Sequence, residues 1–265
     1  MASRAVLGVP LEEFTTSKNI MLYGGIGAGK TVLAGQAPNA LFLATENGVH
    51  AARRQGSTAQ AHWIKTWDEA WAFLLAAEAG EVDRFQWLII DTLSTLENRI
   101  MRTVLDEMYA RSPRRDPDLP DRAEHQLRQN RLKKFVERVV DLPTNTIWLC
   151  HEMRVEDENG DVLVMPSISG GADKGYPIAN YIMGLMDAVG YMRLVTDKKK
   201  EEHRRILWRP FTDSEGRTYR AKDQFDAFGA WTDDWTWPQI IEAIGEETEA
   251  PAPKPAAKRP VRRAA

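Results

Sequence analysis

Short apolar runs alternate with helix-length amphipathic stretches through the first part of the chain. Asn19–Tyr23 reads as a strand, Leu41–Ala44 as a second, His62–Ile64 as a weak third, Trp87–Ile90 as a fourth and Thr146–Cys150 as a fifth. Between them, Thr66 and Glu69 have the spacing of a capping box that opens a helix running through Ala79. The stretch Thr92–Arg111 predicts another helix, and Leu132, Phe135, Val136, Val139 and Val140 form a stripe at helical spacing. Strands that alternate with helices predict an α/β fold: a mostly parallel sheet covered on both faces by helices.

The later part changes character. Met153–Glu156 and Val162–Met165 flank Asn159-Gly160, a strong hairpin signal. Asp187–Val195 and His203–Trp208 read as further strands joined by the charged turn Thr196–Glu202, so the sheet is expected to gain antiparallel strands at one edge. Ser112–Arg122, with three prolines, reads as a polar loop. Residues 1–18 read as a short extension, 19–245 as one folded core, and 246–265 as a tail rich in Ala, Pro and charge. That tail cannot bury enough apolar surface to offset its ordering entropy and is expected to be disordered. Its basic end (Lys254, Lys258, Arg259, Arg262, Arg263) suits a solubilising tail or an arm that captures DNA or an acidic partner.

Composition narrows this picture. Of 265 residues, 43% are hydrophobic, enough for a substantial core, and the formal net charge of −3 means that any nucleic-acid-binding surface must be local. Cys150 is the only cysteine, so no internal disulfide can form. No apolar run reaches membrane-spanning length, and the expectation is a soluble cytoplasmic protein without a membrane partner.

The chemistry enters at Gly24-Gly25-Ile26-Gly27-Ala28-Gly29-Lys30-Thr31, followed by Val32, between a predicted strand and a predicted helix. In that context the glycines let backbone N–H groups turn inward around phosphates, Lys30 reaches the β- and γ-phosphates, and the Thr31 hydroxyl is a Mg²⁺ ligand. ATP and Mg²⁺ are the implied cofactors. Asp91 ends the apolar strand Trp87–Ile90, the Walker B pattern, and is the second expected metal ligand. Glu46, just past the second strand, suits either polarising the attacking water or capping the next helix. His151, at the tip of the fifth strand, suits either a γ-phosphate contact or an ordinary surface histidine.

Together these motifs resemble the RecA-like recombinase and RadA family, and in particular the phage single-strand-annealing ATPases with a RecA-like core. The pieces that carry the resemblance are GGIGAGKT, ATENG, WLIIDTLS, WLCHEMRVEDENGDVLVMPSISGG and RAKDQF, in that order, from about Asn19 to Phe228. The resemblance implies a RecA-like P-loop ATPase in which Glu46 is the catalytic glutamate and His151 the γ-phosphate sensor. It implies a single-stranded-DNA loop over Met153–Lys174 with Arg154, Gly170, Gly171 and Lys174, and phosphate contacts from Arg114 and Arg115 in the other DNA loop. Met165 and Ile168 are the candidates for side chains that insert between bases. In RAKDQF, Lys222 matches the lysine that reaches a neighbouring subunit's ATP and Phe225 the aromatic, whereas Gln224 stands where an arginine is usual and Arg220 lies two residues earlier. The large N-terminal domain of bacterial RecA and the zinc-binding and protease-like modules of RadA have no counterpart, which implies a bare motor core.

The expected function is therefore an ATP-dependent, single-stranded-DNA-binding recombination protein of the strand-annealing type, in a host cytoplasm if phage-encoded. It would act as a homo-oligomeric filament or ring, with a single-strand-binding protein as a plausible partner. A helicase-like motor or helicase loader, a P-loop small-molecule kinase and an ATP-gated adaptor stay open, because a fold does not decide function. Most of the tryptophans, including Trp67, Trp71, Trp87 and Trp148, sit in apolar periodic segments and are expected in the core.

Overall fold

The computed structural model describes residues 17–114, 116, 118–157, 159–168 and 177–245. In chain order the elements are β1 (Asn19–Gly24), α1 (Lys30–Ala34), β2 (Ala40–Ala44), α2 (Val49–Arg54), β3 (Gln60–Trp63), α3 (Trp67–Glu78), β4 (Trp87–Asp91), α4 (Leu93–Arg111), α5 (Arg122–Val140), β5 (Asn145–Glu156), β6 (Val162–Pro166), α6 (Pro177–Leu185), β7 (Ala188–Thr196), β8 (Glu202–Leu207), β9 (Phe211–Thr212), β10 (Thr218–Tyr219), β11 (Lys222–Asp223), β12 (Trp231–Asp233) and α7 (Trp237–Ala243).

The main sheet runs in the order β12-β8-β7-β1-β5-β4-β2-β3. From β7 through β3 every neighbour is parallel, while β8 and β12 add antiparallel strands beyond β7. This is the expected α/β arrangement, with the antiparallel additions at one edge. The middles of the central strands are apolar because both faces are covered. Met21 and Tyr23 of β1 pack into a core with α3, α4, α5 and α6. Ile20 and Leu22 face the other way, into a core with α1, α2 and α7. Trp67, Trp87 and Trp148 are buried as expected, together with Trp208 and Trp237. Trp71 is half-buried against Trp67.

Local signals set most boundaries. Thr66 caps α3 by accepting the Glu69 N–H, and the Glu69 carboxylate reaches back to the backbone before the helix, where it takes the N–H of Lys65. Thr92 caps α4, and a full capping box between Asp121 and Glu124 opens α5. The fifth and sixth predicted strands are one element: β5 continues from Asn145 to Glu156 without a break. Its first part pairs in parallel with β1 and β4, and its second part pairs antiparallel with β6 in a hairpin closed by the Asn159-Gly160 turn. His151 consequently lies inside a strand, where the expectation had it at a strand tip.

The antiparallel side contains three hairpin turns of one design. Asp157, Asp197 and Asp213 each accept, at Oδ1, the backbone N–H groups two and four residues on. Each turn passes through a residue at positive φ: Gly160 at 85°, Lys200 at 66° and Gly216 at 77°. Among the described residues, no helix is long and apolar enough to cross a membrane.

Candidate functional site

The site lies where β1, β2 and β4 end at the same side of the sheet and where β5 leaves its parallel neighbours for β6. Gly24 passes so close to β7 that a Cβ there would sit 2.1 Å from the Met192 carbonyl oxygen. Gly29 adopts φ 94°, and a Cβ on it would come within 2.7–3.0 Å of the Arg204 guanidinium. Both glycines are therefore required by geometry. Between them Gly25 is partly exposed, Ile26 and Gly27 stand out into solvent, and Ala28 is buried.

Lys30 is buried, and its Nζ donates to the carbonyls of Gly24 and Gly25, each at 2.9 Å. Loss of solvation lowers its pKa, opposed by nearby Cys150, Asp91, Glu152 and Glu46. Cys150 lies fully buried beneath, and that burial pushes its thiol up to about 12, so it stays protonated. Thr31 places Oγ1 3.2 and 3.1 Å from the two Asp91 carboxylate oxygens. Val32, half-buried, carries the chain on into α1. Asp91 is only 1% exposed. Burial raises its pKa to about 6 against the Thr31 hydrogen bond, with Glu46 raising it further.

Glu46 follows the end of β2, and β2 runs beside β4 with Ala44 opposite Asp91. Its Oε1 lies 3.1 Å from His151 Nε2 and accepts hydrogen bonds from the hydroxyls of Thr92, at 2.8 Å, and Thr95. The His151 bond comes first among the causes that hold its pKa down at about 2, with Thr95 and Thr92 adding to it against partial burial. Glu46 does not cap the helix that follows, since Gly48 holds that position in α2. Of its two sequence readings, the carboxylate at the phosphate end is the one realised in space. Two acids on adjacent strand ends are thus tuned in opposite directions, Asp91 by desolvation and Glu46 by hydrogen bonding.

The structure brings Lys30, Thr31, Asp91, Glu46 and His151 into one site. The other expected residues that are described lie elsewhere. Arg154 is on the β5 segment of the hairpin, its side chain 60% exposed and 3.8 Å from Glu152. Arg114 is exposed just after α4. Gly170, Gly171, Lys174 and Arg115 lie outside the described residues. Lys222 donates to the carbonyls of Gly184 and Met186, at 2.9 and 2.5 Å, closing the end of α6 within its own chain. Arg220 is exposed, and Phe225 packs on the α7-side core. The base-inserting role expected of Met165 and Ile168 does not hold: both are buried in the main core. Val164, Met165 and Pro166 are buried in succession, so the end of β6 is covered on both faces.

Sequence reading missed four contributors. Thr92 and Thr95 stand one helical turn apart at the start of α4, a spacing that puts both hydroxyls on one side, and this was the available signal. Glu152 receives the Tyr191 hydroxyl at 2.8 Å, and its Oε2 would be 3.9 Å from a Cβ on Gly25. Arg204, from β8, lies on the loop itself, and nothing in the local sequence marks it.

The donor set fits the expected groups. Thr31 and Asp91 offer hard oxygen atoms, the kind magnesium prefers. Gly48 leaves room beside them, since a Cβ there would meet Asp91 Oδ2 at 3.1 Å and Thr31 Oγ1 at 3.2 Å. Residues 16–225 match the protein family described as an AAA domain. The structure is also similar to the crystal structure of the flagellar accessory protein FlaH from Methanocaldococcus jannaschii, at 10% identity and a TM-score of 0.40, covering 72% of this chain and 76% of that one. That likeness is too low to carry an argument. No curated protein matches the chain in sequence.

Proposed function

Because the chain belongs to the AAA domain family and its P-loop, Asp91 and Glu46 converge, we propose that it hydrolyses ATP and couples hydrolysis to single-stranded DNA in strand-annealing recombination, acting as an oligomer. The observation that carries the hydrolytic part is Glu46, which is kept ionised by His151, Thr92 and Thr95 beside the Thr31–Asp91 pair. A carboxylate with a pKa of about 2 is a weak base. Its work is to orient and polarise the attacking water, with proton transfer following the bond change. Lys30 and the loop N–H groups hold the phosphates in place for that attack. Thr31 and Asp91 would hold a magnesium ion, which would supply charge neutralisation on the phosphate oxygens.

Support for the coupling comes from β5. One continuous strand carries His151, bonded to Glu46, and then Arg154 in the hairpin. A change at Glu46 when the terminal phosphate leaves is therefore transmitted along a rigid element to an exposed cation. For the subunit interface, Lys222 is occupied by α6 in its own chain, so a contact to a neighbour's ATP requires it to leave Gly184 and Met186. Arg220 is the cation of that segment left exposed.

The test is ATP hydrolysis with and without single-stranded DNA, with Lys30→Ala as control. Stimulation by single strands that the variant abolishes, followed by annealing of complementary strands, is the expected result. Unwinding without annealing would select the helicase-like reading. Turnover indifferent to DNA would remove the recombination reading and leave the ATPase standing.

A further inference from the structure

Arg204 sits on the nucleotide loop although it belongs to β8, with β7 intervening between its strand and β1. Its Nε donates to the Ala28 carbonyl at 3.3 Å. The guanidinium lies so close over Gly29 that a Cβ there would be 2.7 Å from Nε and 2.8 Å from an Nη. The main chain of Arg204 is fixed from the far side, because its N–H donates to Asp234 Oδ1 at 2.8 Å and its carbonyl accepts the Asp234 N–H at 2.8 Å. The side chain is thus held over the loop by a clamped strand.

Its neighbour shows what this arginine lacks. Arg205 is neutralised by Asp233 through two bonds, at 2.7 and 2.6 Å. No carboxylate lies within salt-bridge distance of the Arg204 guanidinium among the described residues. One long bond to a carbonyl uses one of its five N–H donors. A planar, permanently charged fork with donors to spare, set against a phosphate-binding loop, matches a phosphate in geometry and charge.

The sheet order says which phosphates. Glu46 and His151 lie on the β5-β4-β2 flank of β1, so the terminal phosphate is attacked there. Arg204 comes from the β7-β8 flank and touches Ala28 and Gly29, in the part of the loop whose backbone cradles the α- and β-phosphates. We propose that Arg204 is a nucleotide-binding residue, supplied within the same chain, that grips the phosphates nearest the nucleoside. It then contributes to holding ATP and ADP alike and takes no part in cleavage of the terminal phosphate. This rests on the ATPase reading above.

The experiment compares the full chain with Arg204→Gln and Arg204→Lys. It measures dissociation constants for magnesium ADP and magnesium ATP, steady-state ATP turnover, and Tm. Arg204→Gln is expected to weaken both nucleotides together by about tenfold, the scale of one charge-assisted bond. KM should rise in step while kcat stays within about twofold. Arg204→Lys should recover part of the loss and melt with the wild type. Unchanged affinity in Arg204→Gln would reduce the residue to a brace for Ala28 and overturn the proposal. A loss confined to ATP would place the contact at the terminal phosphate and overturn it too, as would a loss in both variants that follows a fall in Tm. A folded wild-type protein that binds neither nucleotide would sink the ATPase reading itself, whereas wild-type turnover with an unaffected Arg204→Gln sinks this inference alone.

Discussion

The strand ends around the P-loop and the hairpin turns of the antiparallel side are both rich in acids, yet they are built on opposite principles. At the strand ends the polar contacts join residues far apart in the chain: Thr31 with Asp91, Glu46 with Thr95, His151 with Glu46. They are buried or half-buried, and they shift Asp91 up to about 6 and Glu46 down to about 2. In the hairpins Asp157, Asp197 and Asp213 bond to backbone two and four residues away, and the side-chain partners of Asp197 and Asp213 (His203, Arg217 and Tyr219) also lie within six residues. Non-local polar contacts in a shielded place tune chemistry, while local ones in water shape the chain. Substitutions at the first region should therefore change turnover strongly, and at the second should change stability slightly and turnover not at all.

The largest effect is expected at Glu46. Glu46→Gln keeps the shape but removes the charge that polarises water, so kcat should fall on the order of a thousandfold. Nucleotide affinity should stay within about threefold, measured by stopped assays beside equilibrium binding. A variant that retains wild-type kcat would erase the chemical half of the contrast. Asp91→Asn comes next and separates function from stability. Removing a desolvated carboxylate should stabilise the nucleotide-free protein by about 1–2 kcal/mol in urea unfolding at pH 8, while magnesium-dependent turnover is lost. A destabilised variant would mean that the Thr31 bond outweighs desolvation.

Smaller effects belong to the hairpins. Lys200 holds a positive φ of 66° in the position that glycine takes in the two sister turns. Lys200→Gly should relieve that strain and raise stability by about 0.5–1 kcal/mol, with ATP turnover unchanged. A loss of stability would show that the turns are not equivalent. The smallest effect concerns pH. His203 has its pKa raised chiefly by the Asp234 hydrogen bond, at 2.7 Å, with Asp197 adding to it. A raised folded pKa stabilises most below the unfolded value, about 6.5, and the contribution is lost as pH rises through the folded value. The Tm advantage of wild type over His203→Gln should therefore be greatest near pH 5.5 and shrink towards pH 8.5; a constant gap would remove the linkage.

The sites most legible in the sequence were those whose geometry is local. Gly24 through Thr31 is a strand–loop–helix unit, and its function follows from spacing within eight consecutive residues. Asp91 was legible because an acid that closes an apolar strand is a strong signal once a P-loop precedes it. Glu46 was half-legible: its place after β2 was clear, but choosing between water activation and helix capping needed the α4 hydroxyls. His151 was placed at a strand tip because the polar residues after Cys150 read as an ending, whereas β5 continues there by exchanging parallel neighbours for the β6 hairpin. Met165 and Ile168 were misread because a short apolar pair in a polar segment gives no sign of which way it faces.

By itself the sequence determined the alternation of strands and helices, the P-loop, the acid that closes β4 and the hairpin turns. Each of these signals is carried by residues within a few positions of one another. Tertiary structure alone decided that Thr92, Thr95 and His151 converge on Glu46, that Lys222 closes α6, and that Arg204 reaches across from β8 to the P-loop. Those contacts are set by which strands lie side by side and in what register, and that depends on packing two cores against one sheet rather than on any local pattern.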